Sequence, residues 1–174
     1  MVALLGVERY EVKLIPHDEK WEEEAKKVIQ QLEVILGENV IDIQHIGSTS
    51  IKGIWAKPIL DLAVEVKALA QLNKEGMLAA GYDACGESGV VGRYLFVKRK
   101  DGHISTHHIH CYEKGNEDLA AVIKFRDFLN GQPEYAQQYC DLKKKLAERF
   151  PKDRASYTAG KEQFIKMICE LADK

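Results

Sequence analysis

The run Pro58–Val66, with Lys57 just before it, constrains this chain more than any other segment because it alternates strictly. Leu60, Leu62, Val64 and Val66 share one face, while Lys57, Ile59, Asp61, Ala63 and Glu65 share the other. Successive side chains of a strand point to opposite sides, so this strand has one wholly apolar, buried side and one polar, chemically equipped side. Asp61 stands in its middle. Any fold for this chain must cover the apolar face and present the Asp61 face to something useful.

The rest of the pattern supplies the partners. Asp18 and Glu19 open a helix in which Trp21, Ala25, Val28, Leu32 and Ile35 recur at three- and four-residue steps until Gly37 ends it. Residues 1–17 read as an extended lead-in, Val40–Ile46 as a strand, and Gly47-Ser48-Thr49-Ser50 as the polar turn that follows it. Lys67–Ala80 is predicted as a helix stopped by Gly81, and Tyr82–Cys85 as a short strand. Beyond the glycine-rich loop Gly86–Gly92, the runs Arg93–Lys98 and Ile104–Tyr112 form an antiparallel hairpin about Lys100-Asp101-Gly102. Three helices complete the chain, over about Asn116–Leu129, Pro133–Phe150 and Lys152 to the end. Strands followed by a run of helices, with no dividing linker, predict one α+β domain over residues 1–174: a mixed sheet with flanking helices and a helical C-terminal half.

Composition narrows the function classes. A balance of 25 Lys+Arg against 27 Asp+Glu, a formal net charge of −2, argues against a protein held to nucleic acid by global charge. The apolar start Val2-Ala3-Leu4-Leu5 breaks at Gly6, far short of the roughly 20 residues of a membrane span, so no membrane role and a cytoplasmic place are expected. Cys85, Cys111, Cys140 and Cys169 form no Cys-x-x-Cys pair and read as reduced, largely apolar residues.

Three groups of residues can carry chemistry. The glycine and hydroxyls of Gly47, Ser48, Thr49 and Ser50, followed by Lys57 and Asp61, suit a phosphate that needs close backbone approach and N–H donors, although the same tetrapeptide makes an ordinary turn. His107, His108 and His110 stand on one predicted strand, where alternation puts His108 and His110 on the same face, geometrically able to share a metal ion or an anion. His45 stands apart and reads as structural. Among the scattered cations Arg93, Lys98, Arg99, Lys100, Lys143, Arg154 and Lys161, Arg93 is singled out because it precedes Tyr94-Leu95-Phe96, where a guanidinium held near the sheet can grip phosphate.

Taken in order, His45-Ile46-Gly47-Ser48-Thr49-Ser50, Lys57-Pro58-Ile59-Leu60-Asp61-Leu62, Gly92-Arg93-Tyr94-Leu95-Phe96, Thr106-His107-His108-Ile109-His110, Phe125-Arg126-Asp127 and Phe150-Pro151-Lys152-Asp153-Arg154 with Tyr157 and Lys161 resemble the bacterial GrpB-like family over nearly the whole chain. That family is similar to the nucleotidyltransferase superfamily and is sometimes fused to dephospho-coenzyme A kinase. The resemblance implies a nucleotidyltransferase-like sheet, a nucleotide or other phosphorylated small molecule as substrate or ligand, and a divalent ion, Mg²⁺ or Mn²⁺. It assigns Asp61 as catalytic and metal-binding residue. Phosphate would fall to Gly47, Ser48, Thr49, Ser50, Lys57, Arg93 and Lys161.

The superfamily also places a second acidic residue two positions after the first and a third carboxylate on a neighbouring strand, because two ions about 3.5–4 Å apart must be clamped by oxygens. Here the second position is Ala63. Glu65 lies four residues beyond Asp61, roughly 13 Å along an extended strand, too far to share the ion. Three readings therefore stand: metal-dependent nucleotidyl transfer, a catalytically inactive nucleotide- or anion-binding module, or a histidine-metal enzyme. The last would use Asp61, His108 and His110 if their strands adjoin, with a donor set suited to Mn, Fe or Zn.

Overall fold

The computed structural model describes residues 4–174. Its sheet is built from β1 (Val7–Glu8), β2 (Val40–Ile46), β3 (Leu60–Val66), β4 (Tyr82–Ala84), β5 (Arg93–Lys100) and β6 (Ile104–Glu113). The helices are α1 (Lys20–Leu36), α2 (Lys74–Ala79), α3 (Glu117–Gly131), α4 (Pro133–Arg149) and α5 (Arg154–Ala172). The strand order is β2-β3-β6-β5-β4, with β1 paired to β6 in line with the start of β3. All pairings are antiparallel except β3 with β6, which is parallel, so the sheet is mixed as expected and the hairpin β5–β6 forms as predicted.

The alternation of β3 decides which layer lies on which side. Leu60, Leu62, Val64 and Val66 are fully buried in one core with Ala25, Val28, Leu32 and Leu36 of α1 and Met77 of α2. Ala63 faces the other way and packs with Ile46, Tyr112 and Leu119, against Val122 and Ile123 of α3. The sheet is thus a middle layer between α1 and α2 on one side and the C-terminal helices on the other. Those helices hold a second core of Leu129, Ala136, Tyr139, Cys140 and Ile168, which also takes in Ile51 and Ile54 from the loop between β2 and β3. That loop is therefore pinned to the helical half, and Lys143, itself buried, donates from Nζ to the carbonyl of Trp55.

Helix starts follow side-chain capping. Asn116 accepts from the amides of Asp118 and Leu119 at 2.8 and 3.1 Å, and Asp153 accepts from Ser156 at 3.1 Å, so α5 begins at Arg154 rather than at Lys152. The single helix expected over Lys67–Ala80 is corrected to a short turn at Leu69–Gln71 followed by the one-and-a-half-turn α2. Two asparagines account for the break: Asn39 exchanges two 3.0 Å hydrogen bonds with the backbone of Ala68, and Asn73 caps α2 by accepting from Gly76 at 3.0 Å. Such side chains offer the backbone an alternative to helix.

Because Leu62 lies at the centre of the sheet with no exposure, Leu62→Ala is expected to cost about 2–5 kcal/mol of stability. At this chain length that lowers the melting temperature by roughly 5–15 °C, to be read by thermal denaturation.

Candidate functional site

A cleft of about 460 Å³ opens on the Asp61 face, between the sheet and the C-terminal helices. The parallel register pairs Asp61 with His108 and Ala63 with His110, which brings the three chemically capable side chains onto adjacent strands. His110 Nε2 lies 2.9 Å from Asp61 Oδ1 and His108 Nδ1 lies 3.6 Å from the same oxygen. One ligand atom from each of the three falls within 4.8 Å of the others. Burial pushes the Asp61 carboxyl up, but the hydrogen bonding and charge of His108 and His110 outweigh it and hold the group well below the ordinary carboxylate range.

The turn after β2 closes over this carboxylate. Gly47 takes φ 74°, and a Cβ placed there would stand 2.8 Å from Asp61 Oδ2, so both the conformation and the close approach demand glycine. Gly47 and Ser48 line the cleft. Thr49 also borders it, but its hydroxyl meets His45 Nε2 at 2.8 Å. Ser50 turns its hydroxyl back to the Gly47 carbonyl and lies instead on a second, smaller cavity behind the turn. His45 is neutral at physiological pH, since burial, reinforced by the nearby Arg126, lowers its pKa to about 4 although Asp61 opposes this.

Cations gather at the other end of the cleft. The Nζ of Lys57 and that of Lys161 lie 5.2 and 4.6 Å from the ring centroid of buried Tyr157. Neither lysine has an ion-pair partner among the described residues. Burial, then the charges of Lys161 and Arg154, lower the Lys57 pKa to about 7, and Lys143 is driven the same way by burial and by Lys161. Two lysines in a cleft without a carboxylate partner can receive an anion, whose charge would favour the protonated form of both.

The sequence-predicted residues therefore divide. Gly47, Ser48, Thr49, Lys57, Asp61, His108, His110 and Lys161 converge on one cleft. Arg93 does not border it: its Nη1 lies 3.3 Å from His110 Nδ1, and its Nη2 donates to the carbonyls of Glu87 and Ser88 at 3.1 and 3.2 Å. A guanidinium only donates, so this contact is a hydrogen bond in the His110 tautomer that carries its proton on Nε2 and donates it to Asp61. His107 faces the opposite side of the sheet, against Tyr82. Of the helical residues the sequence put forward only Lys161 for the site, whereas Val122, Phe125, Tyr139, Tyr157, Thr158, Ile165 and Cys169 also line it. The only signal for them was the spacing of Tyr157 and Lys161, one helical turn apart.

A pair of magnesium ions does not fit these residues. Among the described residues Asp61 is the one carboxylate lining the cleft, and Ala63, in the second acidic position, is buried. The donor set of one carboxylate and two imidazoles suits a single ion of the Mn, Fe or Zn type. To ligate through Nε2, His110 must move its ring proton to Nδ1, which requires Arg93 to turn aside.

This sheet, with a Gly-Ser turn set over a strand aspartate, is nucleotidyltransferase-like. The model of the family described as GrpB protein matches residues 11–171, and the chain belongs to that family. It is 41% identical to the glutamate-rich protein GrpB of Alkalihalophilus pseudofirmus, over 95% of this chain and 98% of that protein. It is 39% identical to the UPF0157 protein YqkA of Bacillus subtilis, over 94% of this chain but only 48% of YqkA, so it spans about half the length of that relative. The crystal structure of conserved protein GrpB from Enterococcus faecalis superposes with a TM-score of 0.85 at 33% identity, covering 92% of this chain and 96% of that one. The Cid1 poly(U) polymerase, in complex with its short product ApU, superposes at 0.52 with 15% identity over 78% of this chain and 43% of its own, a likeness of fold alone.

Two outcomes follow from this geometry. Gly47→Ala is expected to lower the melting temperature by several degrees, checked by thermal denaturation, because the new Cβ meets the Asp61 carboxylate. Lys57 carries a folded pKa of about 7 against an ordinary 10.5. Below pH 7 both states are protonated and the fold bears the full cost of the buried charge; from 7 to 10.5 only the unfolded chain keeps the proton, so the cost fades as pH rises. Melting curves of Lys57→Met should accordingly lie above those of the parent at pH 6, with the difference shrinking by pH 10.

Proposed function

We propose that the cleft binds a nucleotide or another phosphorylated small molecule together with a single divalent ion. In this reading Gly47, Ser48, Lys57 and Lys161 hold the phosphate, and Asp61 and His108, joined by His110 once Arg93 turns aside, hold the ion. One observation carries it: a phosphate-type turn, an unpaired lysine couple and a carboxylate–imidazole cluster border the same cavity. The nucleotidyltransferase-like fold supports it as well, since the Cid1 poly(U) polymerase of that fold has been solved with MgGTP bound.

In nucleotidyl transfer an acceptor oxygen attacks the α-phosphorus and pyrophosphate departs, so charge must be neutralised on the entering and the leaving side. Lys57 and Lys161 suit the leaving phosphates, and an ion on Asp61 would serve as the Lewis acid. Ala63 favours a second reading, a module that binds the ligand without turning it over. Turnover of labelled nucleoside triphosphates separates the two, since only the transferase releases pyrophosphate, and only while Asp61 is intact.

Calorimetry with Mn²⁺ or Zn²⁺, alone and with ATP, tests the binding itself. The parent protein is expected to bind the ion, Asp61→Ala to lose at least tenfold in affinity for it, and Lys161→Gln to weaken ATP several-fold. Absence of both metal and phosphate binding in the parent would overturn the reading.

A further inference from the structure

Away from the lysines and Asp61, the cleft is walled by Val122 and Phe125 of α3, Tyr139 of α4, and Ile165 and Cys169 of α5. The polar side chains that line it are otherwise His108 and His110 beside Asp61, Ser48, Thr49 and Thr158, and the tyrosines Tyr139 and Tyr157. No asparagine, glutamine, arginine or glutamate reaches it among the described residues. Reading a nucleobase takes donors and acceptors against its edge, or an open aromatic face on which to stack it. Both tyrosine rings are already engaged: Phe164 stacks on Tyr139 at 5.4 Å, with Lys143 Nζ 4.8 Å from the Tyr139 ring centroid, and Lys57 and Lys161 both lie against Tyr157. Tyr139 is further met edge-on by Phe125 at 5.2 Å. A nucleoside lodged against Val122, Phe125 and Ile165 would leave much of its polar base edge without partners, at the cost of lost hydration.

We propose that the ligand of this cleft is a phosphate ester of an apolar alcohol, an alkyl or aryl phosphate, rather than a nucleotide. This rests on the phosphate end assigned above and narrows what is attached to it. The head group sits on Gly47, Ser48, Lys57 and Lys161, and the hydrocarbon body lies along Val122, Phe125 and Ile165. The recognition is amphipathic: charge fixes one end, and the burial of apolar area supplies affinity at the other.

The test is a calorimetric series on the whole chain with Mn²⁺ present: inorganic phosphate, then methyl, butyl, hexyl and phenyl phosphate, with ATP and UTP for comparison. Affinity is expected to rise about threefold to fourfold for each methylene buried, and hexyl phosphate to bind at least tenfold more tightly than either nucleotide. Ile165→Asn, a change at a half-buried position, should flatten the dependence on chain length, and Lys161→Gln should weaken every member of the series. A flat chain-length series in the parent protein, or ATP or UTP binding more tightly than hexyl phosphate, overturns this inference while the phosphate site stands. Failure of the whole panel, inorganic phosphate and nucleotides included, overturns the phosphate site and this inference together. The parent series decides the matter even where a variant fails to fold.

Discussion

Everything functional in this protein depends on the parallel pairing of β3 with β6. That ladder sets Asp61 directly beside His108 and Ala63 beside His110, so a carboxylate on an interior strand finds imidazole donors one strand away. A half-buried carboxylate without such partners would be costly to keep charged. With the 2.9 Å contact from His110 it stays charged, and Arg93 lies against the far side of the His110 ring. The Gly47 turn belongs to the same arrangement, since only a residue without a side chain can cross so close to Asp61.

The cleft built on that ladder is electrically divided. At one end a carboxylate and two imidazoles can hold a cation; at the other two lysines stand unpaired against one tyrosine. In the proposed reading a phosphorylated ligand and its ion would join the two ends, the phosphate facing the lysines and the ion facing Asp61. The chain shares its sheet with nucleotide-polymerising enzymes but departs from the two-ion acidic arrangement at Ala63 and at the histidines. This member of the GrpB family keeps a nucleotidyltransferase-like fold and a Gly-Ser turn, with Ala63 where a second carboxylate would stand.

Much of this was legible in the residues. Period-2 alternation in β3, the amphipathic α1 ended by Gly37, the Asp101-Gly102 hairpin and the three terminal helices are local patterns, and the structure reproduces them. Local patterns failed where a distant or competing hydrogen bond won: Asn39 and Asn73 broke the helix expected over Lys67–Ala80. Within the proposed phosphate set, Arg93 was placed by its neighbours Tyr94-Leu95-Phe96, yet β5 lies beyond β6, so its guanidinium reaches His110 rather than the cleft.

By itself the sequence determined which faces had to be buried, which turn had to be glycine, and which residue types were on hand, because propensity, periodicity and side-chain chemistry act over a few residues. Only the tertiary structure decided which of them meet. The neighbourhood of β3 and β6, the lysine couple on Tyr157 and the apolar wall from α3, α4 and α5 join residues from distant parts of the chain. Contacts of that kind are set by how whole layers pack, and no local pattern encodes them.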